Sequence, residues 1–196
     1  MTRPLKVALV AAALTTAGAA LVSPLGDEAH ACELTIGVVL ELTGPAGQYG
    51  QAGAKSVEMA LRDLNEAGGA AGCTLVTDTR DSQSQGNVAV DQATQLVNVQ
   101  GVPVVIGGII SSVSIPVLTS VTGPAGVVQV SPASSSPPLT ALGREGKSGG
   151  KFFRTITSDA LQGSAAAKYA MDQGLDKLAI IHVNNDFGVN MMREFS

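Results

Sequence analysis

Tryptophan is absent, and aromatic residues make up only 3% of the 196 positions. Any core must therefore be built from Val, Leu, Ile and Ala, small side chains that suit close packing of helices on a sheet. Charge is also scarce: 14% of residues are charged against 45% hydrophobic, which excludes a disordered chain. The twelve Lys and Arg are scattered singly and the net charge is −4. A nucleic-acid partner is excluded on that ground, because phosphate affinity needs clustered cations. Two His and two Cys give no ligand cluster, so neither a metal nor a cofactor is expected. No G-x-S-x-G elbow is present. The glycine-spaced "GPAGQYG" (44–50) lacks the Lys of a phosphate loop and reads as a tight turn opening a helix. The expectation is a protein that is not an enzyme. An exported serine hydrolase using the Ser-rich loops and His182 is the least supported reading.

Long apolar runs are confined to the start. Arg3 and Lys6 precede "VALVAAALTTAGAALV" (7–22), and Ala29-His30-Ala31 forms an A-x-A cleavage pattern. The apolar run falls short of the ~20 residues of a spanning helix. Residues 1–31 therefore read as a signal peptide, with Cys32 the first mature residue and the product exported, periplasmic in a two-membrane cell. Lipid anchoring at Cys32 is the disfavoured alternative, since Ala29 stands where a lipoprotein box carries Leu. Cys32 precedes one strand pattern and Cys73 opens the next. Adjacent strands run about 4.8 Å apart, within reach of a disulfide. Export permits the bond, so a Cys32–Cys73 disulfide is expected.

Strands alternate with helices through the remainder. Strand patterns fall at "LTIGVVL" (34–40), "TLVTDT" (74–79), "VPVVIG" (102–107), "GVVQVS" (126–131), "KFFRTI" (151–156) and "DKLAIIHV" (176–183). The first helix, from Gln51, turns Ala54, Val57, Met59, Ala60, Leu61 and Leu64 inward; the second starts at Asn87 and the third at Ser111. Pro116 is placed early in the third helix, where its missing N–H costs little. Residues 132–150 read as a long loop, and a further helix follows Ser158 or Asp159 as cap. The order implies an α/β fold, an open, mostly parallel sheet flanked by helices, with ligands at the carboxyl edge of the strands. The long loop marks a change of domain near residue 156: 32–156 a first α/β domain, 157–196 the start of a second, incomplete one.

At that edge Ser111 and Ser112 open a helix, where free N–H groups and the helix dipole favour a carboxylate. "SPASSS" (131–136) supplies further hydroxyls from the neighbouring edge. On residues alone these serines serve equally as caps and turn formers, and Tyr49 as pocket wall or helix-entry packing. Asp78, Arg80 and Asp81 read as a solvated turn, His182 as a strand-end hydrogen bonder, and Asp186 as either facing the cleft or capping the last helix.

The run "IGVVLELTGPAGQYGQAGAKSVEMALRDLNEAGG", then "VVIGGIISSVSIPV", "VVQVSPASSSPPLT", "FFRTITSDALQGSAAAKYA" and "LAIIHVNNDFG", resembles the periplasmic leucine/isoleucine/valine-binding proteins of ABC uptake systems. The resemblance covers the mature chain but only the N-terminal half of such a protein. It implies a type I periplasmic-binding-protein fold, an amino-acid ligand held between two domains, and an ABC permease as membrane partner, with the binding protein a monomer. It implies that Ser111 grips the ligand α-carboxylate. Ala133 and Ser135 meet the ammonium and carboxylate groups, Phe187 closes over the ligand, and Tyr49 lies near its side chain. Ser112, supporting the turn, and Ser134 are counted with them in the ligand site. A branched-chain or related amino acid is the expected ligand. The alternative is a sensor domain of the same fold for an amide, urea or amino acid.

Overall fold

The computed structural model describes residues 32–196. The signal peptide expected over 1–31, and with it the cleavage pattern, lies outside the described residues. Five parallel strands form one sheet: β1 (Glu33–Leu40), β2 (Thr74–Asp81), β3 (Val104–Gly107), β4 (Val128–Ser131) and β5 (Phe152–Arg154), in the order β2-β1-β3-β4-β5. The helices are α1 (Gly47–Glu66), α2 (Gly86–Thr94), α3 (Ser111–Val117), α4 (Gly123–Ala125), α5 (Pro137–Arg144), α6 (Asp159–Asp172) and α7 (Asp186–Phe195). A π-turn, Gln95–Val99, extends α2, and another, Leu118–Thr122, joins α3 to α4.

β1 explains the layering. Its last five residues are buried, as in a strand covered on both faces. Ile36, Val38 and Leu40 meet Leu61 of α1 and Leu75. Val39, of opposite parity, joins Ala89, Ala93, Leu96, Val105, Val113 and Val117 under α2 and α3. The chain leaves β1 to one side for β2 and crosses back for β3, so a crevice opens where β1 and β3 end. Ligand-binding loops in open α/β sheets converge on such a switch point.

The disulfide forms as expected. Cys32 and Cys73 are bonded, with Cα atoms 4.6 Å apart and a sequence separation of 41. The bond staples the starting ends of β1 and β2, opposite the carboxyl edge.

Several expectations are corrected. Residues 132–150 are not one loop: Pro137–Arg144 is helical. Pro137 and Pro138 occupy the first helical positions, where the missing N–H is no loss, and Leu139 is buried beneath them. Pro116 is the sixth residue of α3 rather than part of its first turn. Gly86 of α2 packs against the Ser112 carbonyl and the Pro116 ring, a place where a Cβ would approach that carbonyl to 2.6 Å. On α1, Met59 and Leu64 are exposed. That helix covers β1 and β2, and an apolar groove between Leu64 and Ile106 stays open beside it. Asp78, Arg80 and Asp81 belong to β2 itself, with Arg80 Nε donating to Asp78 at 2.6 Å.

The strand expected over 176–183 does not form. The segment is extended but pairs with no other strand among the described residues. A strand is made by its neighbour's ladder, and here Leu178, Ile180, Ile181 and Val183 lie exposed, Ile181 by 99%. Helices α6 and α7, on either side of it, pack on each other. They cross at Gly163, where a Cβ would stand 2.5 Å from that of Glu194.

Candidate functional site

Three loops meet at the carboxyl edge of the sheet, and Gly108 ties two of them together. Its carbonyl accepts from Ser131 Oγ (2.6 Å), Ser114 Oγ (3.1 Å) and Ser134 Oγ (3.1 Å), and its N–H donates to Ser114 Oγ (2.9 Å). Ser114 and Ser134 share a hydrogen bond of 2.7 Å. These hydroxyls are fully buried. They satisfy backbone groups that a strand-to-helix turn would otherwise leave unpaired inside the protein. Ser134 is thus spent on fastening the β3–α3 turn to the β4–α5 loop.

Ser111 and Ser135 are differently placed. The buried Ser111 Oγ accepts the Ser136 N–H at 3.2 Å, which leaves its own proton without a protein acceptor. Ser135 is buried, and its carbonyl accepts the Asp159 N–H at 2.9 Å. Ser112 and Ala133 are half-buried beside them. Ser136 Oγ donates to the Asp186 carbonyl (3.1 Å), fixing the start of α7 and so the position of Phe187, 36% exposed. Tyr49 stands in the first turn of α1, 61% exposed. The structure thus brings Ser111, Ser134 and Ser135 together, with Phe187 carried on a helix docked to the same loop. Tyr49 remains on the surface. His182 caps no strand; its Nδ1 meets the Val183 carbonyl in the exposed segment. A cavity of about 480 Å³ between that segment and α7 is walled by Leu178, Ile181, Phe187, Met191 and Phe195 and contains none of the serines.

Two carboxylates that sequence reasoning passed over dominate the electrostatics. Glu41 directly follows β1 and is fully buried. Its oxygens accept from Ile109 N–H (3.0 and 2.9 Å) and from Ile110 N–H (3.0 Å). Burial pushes its carboxyl above the usual glutamate range; the Ile109 and Ile110 amides pull the other way, and Asp81 adds to the push. The available signal was an acid placed directly after five buried residues.

Asp159 opens α6 and is also fully buried. Ser158 takes the capping role, its Oγ accepting the Ala160 N–H; among the described residues neither carboxylate oxygen of Asp159 has a well-formed hydrogen bond, the Ser135 side chain beside it being a loosely placed donor. Burial raises its pKa. The Ser135 side chain and the Arg154 charge oppose that, and Glu194 reinforces it. Arg154 does not neutralise it directly, because its guanidinium is held by the Ser134 and Ser136 carbonyls (3.2 and 3.1 Å) and by Thr140 Oγ1 (2.6 Å). Burying a carboxylate without a partner is costly, which marks Asp159 as a group awaiting a cation or donor.

The third loop is anchored by Asp81. Its carboxylate accepts from Leu42 N–H, Thr43 N–H, Thr43 Oγ1 and Gln83 N–H at 2.6–3.1 Å. Burial works against it, but these donors hold Asp81 below the usual aspartate range. Gly44, at φ +81°, makes the turn that leads into α1.

The open parallel sheet, with hydroxyl-rich loops at its carboxyl edge, has the architecture of the periplasmic solute-binding class. A sequence model described as "Periplasmic binding protein" matches residues 33–196, and the chain belongs to that family. A Leu/Ile/Val-binding protein homolog of Brucella melitensis is 33% identical over 164 residues, covering 83% of this chain and 43% of the relative. A leucine-, isoleucine-, valine-, threonine- and alanine-binding protein of Pseudomonas aeruginosa is 31% identical over 184 residues, 93% of this chain and 46% of its own. Among solved structures, an ABC transporter substrate-binding protein of Desulfitobacterium hafniense in complex with Leu matches at TM-score 0.65 and 29% identity, over 83% of this chain and 46% of that one. The chain spans less than half the length of the relatives it matches.

Proposed function

We propose that this chain forms one side of the ligand cleft of an exported solute-binding protein. It would take a branched-chain or related α-amino acid and deliver it to an ABC permease. The observation that carries the reading is the pairing of opposite chemistries at one loop. Ser111 offers an uncommitted hydroxyl at the head of α3, suited to an α-carboxylate. Asp159, hydrogen-bonded through its backbone to Ser135, offers a buried carboxylate without a well-formed hydrogen bond, suited to an α-ammonium. A zwitterion satisfies both; a simple carboxylic acid satisfies one. The names of the relatives support the same ligand class. Phe187 and Tyr49 are assigned to the apolar part of the ligand. The work done is binding rather than bond-making.

The test compares L-leucine with 4-methylpentanoate, which keeps the carboxylate and the branched side chain but lacks the ammonium. At tenfold excess over Kd a ligand adds about 1.4 kcal/mol of stability, or about 3–6 °C in Tm for a chain of this size. L-leucine raises Tm and 4-methylpentanoate does not. An equal rise with both acids removes Asp159 from the site and the amino-acid reading with it.

A further inference from the structure

Glu41 directly follows β1, far in sequence from the serines, yet it grips the two amides that immediately precede Ser111. The grip is exclusive: among the described residues no cation forms an ion pair with it. Its surroundings are tight. A Cβ on Gly108 would come within 2.9 Å of its Oε1, and one on Gly50 of α1 within 2.0 Å of its carbonyl oxygen. The glycines thus leave room for the Glu41 backbone against α1 and for its carboxylate against the β3–α3 turn. From Ile110 the connection continues through Ser111 Oγ to the Ser136 N–H, and from Ser136 Oγ to the Asp186 carbonyl at the start of α7.

We propose that Glu41 is the positioning residue of the ligand site: its ionised carboxylate fixes the β3–α3 turn and hence Ser111, and taking up a proton weakens that hold. Oε1 accepts from both amides and Oε2 from Ile109 alone, so a proton on Oε2 turns that oxygen from acceptor to donor, removing the 2.9 Å bond and the charge that strengthens the other two. Asp81, at the end of β2, is the charged group that faces Glu41. The β3–α3 turn presents amides and α1 presents Gly50. The burial that raises the proton affinity of Glu41 moves this weakening upward in pH. The weakened hold would loosen Ser111 and, through Ser136, the docking of α7. The inference rests on the reading of Ser111 as a ligand contact, but its test uses no ligand, so the two can fail separately.

The experiment is an acid titration of the isotope-labelled chain followed by amide NMR, from neutral pH to the onset of acid unfolding. The Ile109, Ile110 and Ser136 amide resonances shift together, with one midpoint above the usual glutamate range, while Gln129 of β4 stays fixed. In E41Q, which keeps the shape, the common shift is lost. The unmodified chain alone decides the matter if that variant does not fold. If Ile109 and Ile110 move and Ser136 does not, Glu41 holds the turn without positioning Ser111, and the proposal is overturned. Unfolding before any of the three moves overturns it as well.

Discussion

In D159N an isosteric neutral amide replaces a carboxylate that is fully buried and has no well-formed hydrogen bond among the described residues. An unsatisfied buried polar group costs about 1–3 kcal/mol, and more when charged. Asn keeps the shape and adds donors that can face the Ser135 hydroxyl, so the variant is expected to gain about 1–2 kcal/mol at neutral pH. For a chain of this length that corresponds to about 2–8 °C in Tm. The gain depends on pH. The folded-state pKa of Asp159 is raised, so the native state prefers the protonated form. The stability it contributes is fully present below the ordinary aspartate range and is lost as pH rises through the folded value. Wild type and variant therefore converge in acid and diverge towards neutrality. Thermal unfolding followed by circular dichroism across that range reads the difference. L-leucine binding should weaken about 10–100-fold in the same variant, the loss of one charge-assisted bond. A D159N chain that melts lower at neutral pH, or tracks wild type at every pH, refutes the account of Asp159 as an unpaired charge.

Removing the Ser111 hydroxyl in S111A should weaken L-leucine binding by about 1–3 kcal/mol, read by calorimetry, because a charged group loses a donor; unchanged affinity would take Ser111 out of the site. Breaking the disulfide in C73S opens a loop with a sequence separation of 41 residues, which the chain-entropy relation puts at about 4 kcal/mol; a melting curve insensitive to reductant contradicts this. In G50A the new Cβ would lie 2.0 Å from the Glu41 carbonyl oxygen, a backbone atom, so the chain must shift at a cost of about 1–3 kcal/mol, visible as a lower urea midpoint.

The positions of β1 to β5 were legible because buried parallel strands leave nearly continuous apolar runs, as at Ile36–Leu40, and because glycines punctuate them. The Cys32–Cys73 bond followed from the same pattern, since strands joined by one crossover start side by side. Periodicity could not see α5, whose Pro-Pro start looks like a breaker until Ser136 is known to precede a first helical turn. It overcounted 176–183, where an apolar run has the composition of a strand but no neighbour to pair with. At the site, hydroxyl-rich loops announced themselves as a set, but which serine faces outward depends on partners distant in sequence. Ser134 is spent on Gly108, and Ser111 is spent only in part on Ser136. Glu41 and Asp159 stayed hidden because a single acid beside a strand end or a helix start reads as solvated or capping until burial shows otherwise.

The unpaired stretch at 178–183 has a practical consequence for anyone handling this chain. Backbone outside any strand ladder, bearing Leu178, Ile180, Ile181 and Val183 in the open, is a template for another strand. Concentrated samples are therefore expected to associate through this stretch, and proteases to cut here first. After such a cut α7 would be retained by its crossing with α6, its contacts with α3 and the Ser136–Asp186 bond. The durability of the docked Phe187 thus becomes a question of storage conditions as much as of fold.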